Sequence, residues 1–298
     1  MTRLRADMML LLTAFIWGTA FIAQKDANHS MGPISFVGLR FLLSAIVLLP
    51  LALYESRRET APLSRKDWLQ AGLVGLCLCT GSCLQQAGLV TTSATNGGFL
   101  TALYVVIVPF MVWGLNRVRP RGLVLLACLV SVAGAWLLTD DGSARHWSFG
   151  DLLVVLADFA WALAITVIGD FLQRTHRPFF LSFAQYAVTT VLALGIGLCF
   201  EPISLPDIGS AAPAILYAGI LSGGVAFTLS VIAQKYTPPA EASLIMCLES
   251  VFAALAGAVM LHERLTLTAT LGCGLILLGV VMVEVGPMLM RRLRGAAA

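Results

Sequence analysis

Charge is what this sequence has least of: Asp, Glu, Lys and Arg together make up 12% of 298 residues, about half the roughly 25% usual in soluble domains. With 58% apolar residues and a mean hydropathy of +0.88, that scarcity excludes a water-soluble globular fold. The four histidines (His29, His146, His176, His262) fall in separate loops, and no HExxH, DxxD or Ser-His-Asp arrangement occurs. A membrane-embedded enzyme therefore lacks a recognisable set of catalytic groups. None of the seven cysteines forms a CxxC pair or has a histidine at metal-ligand spacing, and all lie inside apolar runs, so they read as small packing residues. The net charge is only +3, with no basic cluster, which removes nucleic acid as a partner. The sequence calls for no cofactor and no metal.

What is there in abundance is long apolar runs. A spanning helix needs about 20 apolar residues, and ten runs qualify: 8–24, 34–53, 69–88, 96–115, 122–138, 151–171, 179–200, 213–233, 242–261 and 267–286. The first follows Arg3 and Arg5 but ends without a small-x-small cleavage site, and it reads as a permanent span. The predicted fold class is an all-α polytopic membrane protein. Its connections are too short to fold into a soluble domain, and no polar stripe runs the length of a helix as a channel would require.

Lys and Arg in short loops set orientation. Fifteen of them fall on the side of the termini, and three (Lys25, Arg145, Arg264) fall on the other. Both termini are thus expected in the cytoplasm, and the expected location is a bacterial inner membrane.

The chain divides near residue 145 into 1–145 and 146–298. Phe15-x-Trp17-x-x-Ala20 recurs as Phe159-x-Trp161-x-x-Ala164, and Cys128 with Gly134 matches Cys273 with Gly279. Five spans per half is odd, so the second half is expected upside down relative to the first, an inverted repeat suited to alternating access around a midplane site.

Ionisable groups at membrane depth cost roughly 2.5–3.5 kcal/mol each on insertion scales, which singles out Arg40, Asp158 and Glu249. At about 1.5 Å per residue, Arg40 and Asp158 lie ~9 and ~10 Å below one face, and Glu249 lies ~18 Å below it. Depth favours an Arg40–Asp158 pair. A static ion pair and a substrate- or proton-binding role both remain open for these groups. Trp17 and Trp161 sit near the midplane at equivalent places of the two halves, with Tyr104 at similar depth, and are expected to line a cavity for an apolar or aromatic substrate. Glu263, between His262 and Arg264, reads as a surface carboxylate, and Pro109 as a bend in the fourth span.

Leu248-Glu249-Ser250-Val251 followed by Leu261-His262-Glu263-Arg264-Leu265-Thr266 and Gly272 to Gly279 resembles the closing signature of the EamA branch of the drug/metabolite transporter superfamily. Trp17-Gly18 and Leu39-Arg40-Phe41 match that family's opening pattern, and the likeness covers essentially the whole chain. It implies a basket of ten helices whose spans 1, 3, 4, 6, 8 and 9 line a central cavity. It also brings to mind exporters of metabolites, including the YddG-type aromatic amino acid exporters. The sequence departs from the pattern at Ser250, where a proline is common, and at Asn116-Arg117, where Gly-Glu is. The expected function is export of small amphipathic molecules, aromatic or hydrophobic amino acids first. Trp17, Trp161 and Tyr104 would hold the apolar part, and Ser82, Gln85 and Asn96 would supply hydrogen bonds. Cationic drugs and other metabolites are the alternative substrates. The partners expected are the small-molecule substrate and the lipid bilayer, with monomer and homodimer both open.

Overall fold

The computed structural model describes residues 1–59, 61–138, 148–260 and 266–295, in backbone alone from residue 284. Among the described residues every regular element is helical. Eight helices are long and apolar enough to cross a membrane: α1 (Arg3–Ala27), α2 (Pro33–Arg58), α3 (Arg65–Gly88), α4 (Ala94–Asn116), α6 (Phe149–Thr175), α7 (Pro178–Phe200), α8 (Leu205–Gln234) and α9 (Pro239–Met260). Two have shorter apolar stretches, α5 (Gly122–Leu138) and α10 (Leu267–Gly295). The chain is a multi-pass membrane protein. Arg145, His146, His262, Glu263, Arg264 and the division near residue 145 lie outside the described residues.

Local sequence fixes where the helices start. Ser64 and Asp67 form a capping box on α3, and Ser148 and Asp151 form one on α6. In each box, side chain and backbone satisfy orphan donors reciprocally. Pro33, Pro178 and Pro239 open α2, α7 and α9, where a missing N–H costs nothing.

Helices α2 and α7 pack along each other and cap each other. The Glu55 carboxylate, near the end of α2, accepts from the Phe179 and Phe180 N–H groups at 3.2 and 2.7 Å. Glu201, just past α7, accepts from Ile34 and Ser35 N–H at 3.0 and 2.7 Å. Each acid thus meets the positive end of the other helix. Helix α5 packs on α10, α3 on α6, and α1 against α8 and α9. The α5–α10 contact is backbone to backbone: a Cβ added at Gly134 would stand 2.6 Å from the Gly272 carbonyl oxygen. Such small residues allow close approach where lipid supplies no hydrophobic drive.

Three spans are irregular. Helix α4 breaks into Ala94–Thr101 and Tyr104–Asn116, and α9 into Pro239–Met246 and Glu249–Met260. The breaks are 3₁₀-like, with Leu103 N–H donating to Leu100 and Leu248 N–H to Ile245. Helix α4 breaks at residues 102–103, and its second segment runs on through Pro109. Proline cannot donate to the Val105 carbonyl, and the Cys128 thiol donates to it instead, at 3.3 Å. Helix α8 starts at Leu205, eight residues before the expected limit, and contains a π-helical segment, Tyr217–Phe227. Its carbonyls serve other helices: Gly219 accepts from the Ser44 hydroxyl, Ser222 from the Trp17 indole, Gly223 from the Tyr186 hydroxyl and Ala226 from the Thr13 hydroxyl.

Candidate functional site

A cavity lies among eight of the helices. Helices α1, α3, α4, α6, α8 and α9 supply most of its wall. Helices α2 and α7 add one residue each, Arg40 and Gln185. Among the described residues no lining residue comes from α5 or α10.

Its middle is aromatic. Phe227, carried inward at the end of the π-helical segment, stands between the two tryptophans, 4.5 Å from Trp17 and 5.8 Å from Trp161 by ring centroid. Trp161 rests on Gly81, where an added Cβ would come within 2.9 Å of the indole. Glycine at that position is what lets the ring lie flat against α3.

At one end is Arg40, 3% exposed. Its Nη1 donates to Gln24 Oε1 at 2.8 Å, and its guanidinium sits 4.8 Å from the Phe41 ring centroid. That aromatic contact compensates part of the cost of burying a cation. The expected pairing of Arg40 with Asp158 does not form, and Gln24 on α1 is the partner instead. Equal depth on two helices says nothing of the direction in which each side chain points.

At another point of the wall Glu249 opens the second segment of α9, as Tyr104 opens that of α4. Glu249, Tyr104 and Asp158 lie within electrostatic reach of one another. Asp158 is fully buried behind the wall, with no hydrogen-bond partner for either carboxylate oxygen. Trp161 Nε1, Gln185 Nε2 and Arg40 Nε are likewise buried without protein partners, while the Tyr104 hydroxyl and the Glu249 carboxyl group face each other. They converge on the cavity from five helices. An apolar pocket with a few such groups is the usual form of a small-molecule site.

Of the residues expected to bind substrate, Trp17, Gln85, Tyr104 and Trp161 line this cavity, together with Arg40 and Glu249. Three do not. Ser82 is fully buried in α3 and outside the lining. Asn96 sits in the first turn of α4, its N–H donating to the capping Ser93 hydroxyl, because the helix begins two residues earlier than expected. Asp158 stands behind the wall. Gln85 donates to Thr101 at 2.9 Å, so its amide is already oriented. The sequence reading missed Gln24, Phe227 and Gln234. The two glutamines could have been flagged as amides near span ends, whereas one phenylalanine among fifteen carries no signal. Among the described residues no group of three His, Cys, Asp or Glu is placed to hold a metal.

Comparison with known proteins agrees with this architecture. A solved crystal structure 19% identical in sequence superposes with a TM-score of 0.79, covering 98% of this chain and 99% of the other, which shows the fold. An uncharacterized transporter of Archaeoglobus fulgidus is 29% identical over 95% of this chain and 86% of its own length. The uncharacterized transporter YwfM of Bacillus subtilis is 25% identical over 94% of each chain. The uncharacterized inner membrane transporter YedA of Escherichia coli is 25% identical over 91% of this chain and 88% of its own. Residues 4–140 and 148–285 each match the EamA-like transporter family, and the chain belongs to that family.

Proposed function

We propose that this protein is a secondary transporter exporting small amphipathic zwitterions, aromatic and hydrophobic amino acids first, by alternating access. The observation that carries the reading is the lining itself: one cation, Arg40, and one carboxyl group, Glu249, beside the Trp17–Phe227–Trp161 cluster. Arg40, Gln185 and the Trp161 indole offer donors for a carboxylate, Glu249 accepts from an ammonium group, and the rings cover an apolar side chain. A cationic drug would match Glu249 and the rings but would meet Arg40 in the same space, which favours the zwitterion.

Two inverted halves, five helices each, with both termini cytoplasmic in an inner membrane, are the architecture we assign. Reciprocal capping of α2 by Glu201 and of α7 by Glu55 supports it. So does the pairing of α5 with α10, each helix meeting its counterpart.

The test is flux of labelled phenylalanine and tryptophan into proteoliposomes. Saturable flux that unlabelled aromatic amino acids compete away is expected, and it should be lost in Trp161→Ala at unchanged expression. Full flux in that variant would remove the aromatic cavity from the mechanism. Competition by lipophilic cations alone would move the assignment to drug export. If a proton moves with the substrate, Glu249→Gln and Asp158→Asn should leave flux insensitive to an imposed pH gradient.

A further inference from the structure

Two hydrogen bonds at opposite ends of α1 repeat one arrangement. The Thr237 hydroxyl, between α8 and α9, donates to Asp7 Oδ1 in the first turns of α1 at 2.8 Å. The Thr92 hydroxyl, between α3 and α4, donates to Asp151 Oδ1 in the first turn of α6 at 2.7 Å. Lys25 places the second bond at the far end of α1, since its Nζ donates to the Leu89, Val90 and Thr92 carbonyls. Asp7 and Lys25 are eighteen residues apart on α1, so about 27 Å separates the two ends. Each bond ties one half of the chain to the other, and both threonines are almost fully buried.

What each threonine holds is the start of a broken helix. Thr237 precedes the eight-residue segment Pro239–Met246, and Thr92 precedes the eight-residue segment Ala94–Thr101. Each segment ends in a 3₁₀-like turn, and the residue beyond that turn lines the cavity, Glu249 in one case and Tyr104 in the other. A stretch of 3₁₀ in mid-helix is a common hinge. Each segment is therefore a short lever, latched at the bundle end and jointed at the cavity.

We propose that Thr237–Asp7 and Thr92–Asp151 are the two gate latches of the transport cycle, released alternately so that one lever swings while the other is held. The proposal rests on the transport reading above. It also assigns the latches different character. The Asp7 latch sits in an ionic cluster, with Arg3 3.6 Å from Asp7 and 2.6 Å from Glu241, and Arg121 3.8 Å from Glu241. The Asp151 latch sits among hydroxyls and amides, with Ser148 Oγ 3.2 Å from Thr92 Oγ1 and Gly150 N–H donating to Thr91 Oγ1 at 3.1 Å.

The test joins each latch covalently. In a chain whose seven native cysteines are replaced, Asp7→Cys with Thr237→Cys, and separately Asp151→Cys with Thr92→Cys, are cross-linked by a short bis-thiosulfonate. Either cross-link should stop flux of labelled phenylalanine, and a thiol reductant should restore it. Flux unchanged by a completed cross-link overturns the proposal. A second measurement needs neither substrate nor cross-link. Amide hydrogen exchange in Thr237→Val should rise about fivefold in residues 235–248, the equilibrium effect of one lost hydrogen bond, and stay unchanged in 90–103. Thr92→Val should do the reverse, and a rise at both ends alike, or at neither, overturns the latches. Absence of phenylalanine flux in the unmodified protein would strike the substrate reading alone, leaving the exchange result to decide the latches.

Discussion

Seven residues after the proline that opens it, α2 carries Arg40, and α7 carries Gln185 at the same count. Eleven residues after that proline, Ser44 donates to the Gly219 carbonyl and Thr189 to the Gly75 carbonyl. Between them Phe41 and Tyr186 stack on each other with centroids 5.7 Å apart. The first residue beyond the break is Tyr104 in α4 and Glu249 in α9. Matched positions that hold helix to helix carry similar side chains, whereas matched positions that face the cavity differ, cation against amide and phenol against carboxyl. Packing is satisfied twice by one solution. Under the proposed reading a zwitterion needs two different ends, and the unlike residues at these matched positions would supply them.

The comparison breaks most visibly at Arg40. Arg40→Gln, which makes the first half like the second, should lower amino acid flux about 30-fold, since a hydrogen bond to a charged group contributes ~2 kcal/mol. Gln185→Ala should cost only about fivefold, the scale of a neutral bond at ~1 kcal/mol. Equal losses in the two would mean that the halves are not specialised. Next come the caps. Glu55→Ala and Glu201→Ala should each lower unfolding free energy in detergent by ~2 kcal/mol, because each strands two helix donors, and a clear inequality would undo the equivalence. Ser44→Ala and Thr189→Val should follow at ~1 kcal/mol apiece by the same measurement. The smallest effect has the opposite sign. Arg117 and His176 end α4 and α6 at φ 58°, a left-handed conformation that costs side-chain-bearing residues about 1 kcal/mol. Arg117→Gly and His176→Gly should therefore raise thermal stability slightly, and a fall in either would show that its side chain is needed there.

That the chain is an all-helical, multi-pass membrane protein was legible in the sequence because an apolar run of spanning length has few other uses in so uncharged a chain. The cavity aromatics were legible because Trp17 and Trp161 stand at matching depth in repeated patterns. Other features depend on partners distant in sequence. The breaks at residues 102–103 and 247–248 contain no glycine or proline, and Ser250, where a proline was anticipated, instead donates to the Gly98 carbonyl of α4 at 2.9 Å. The π-helical turn of α8 is held by hydroxyls and an indole from α1, α2 and α7, which local sequence does not announce. Arg40 was given the wrong partner, because depth along a helix constrains one coordinate and the helix rotation that turns it to Gln24 is a second.

The reciprocal capping of α2 and α7 bears on how the protein is made. A ribosome releases Ile34 and Ser35 long before Glu201, so while the chain is growing the first turn of α2 must find water or headgroup oxygen for its N–H groups. Glu55 waits in the same way for Phe179 and Phe180. A half-chain ending before residue 178 would reach the membrane with one helix start unmet and one carboxylate unclaimed. Completion of the bundle is thereby tied to synthesis of its second half.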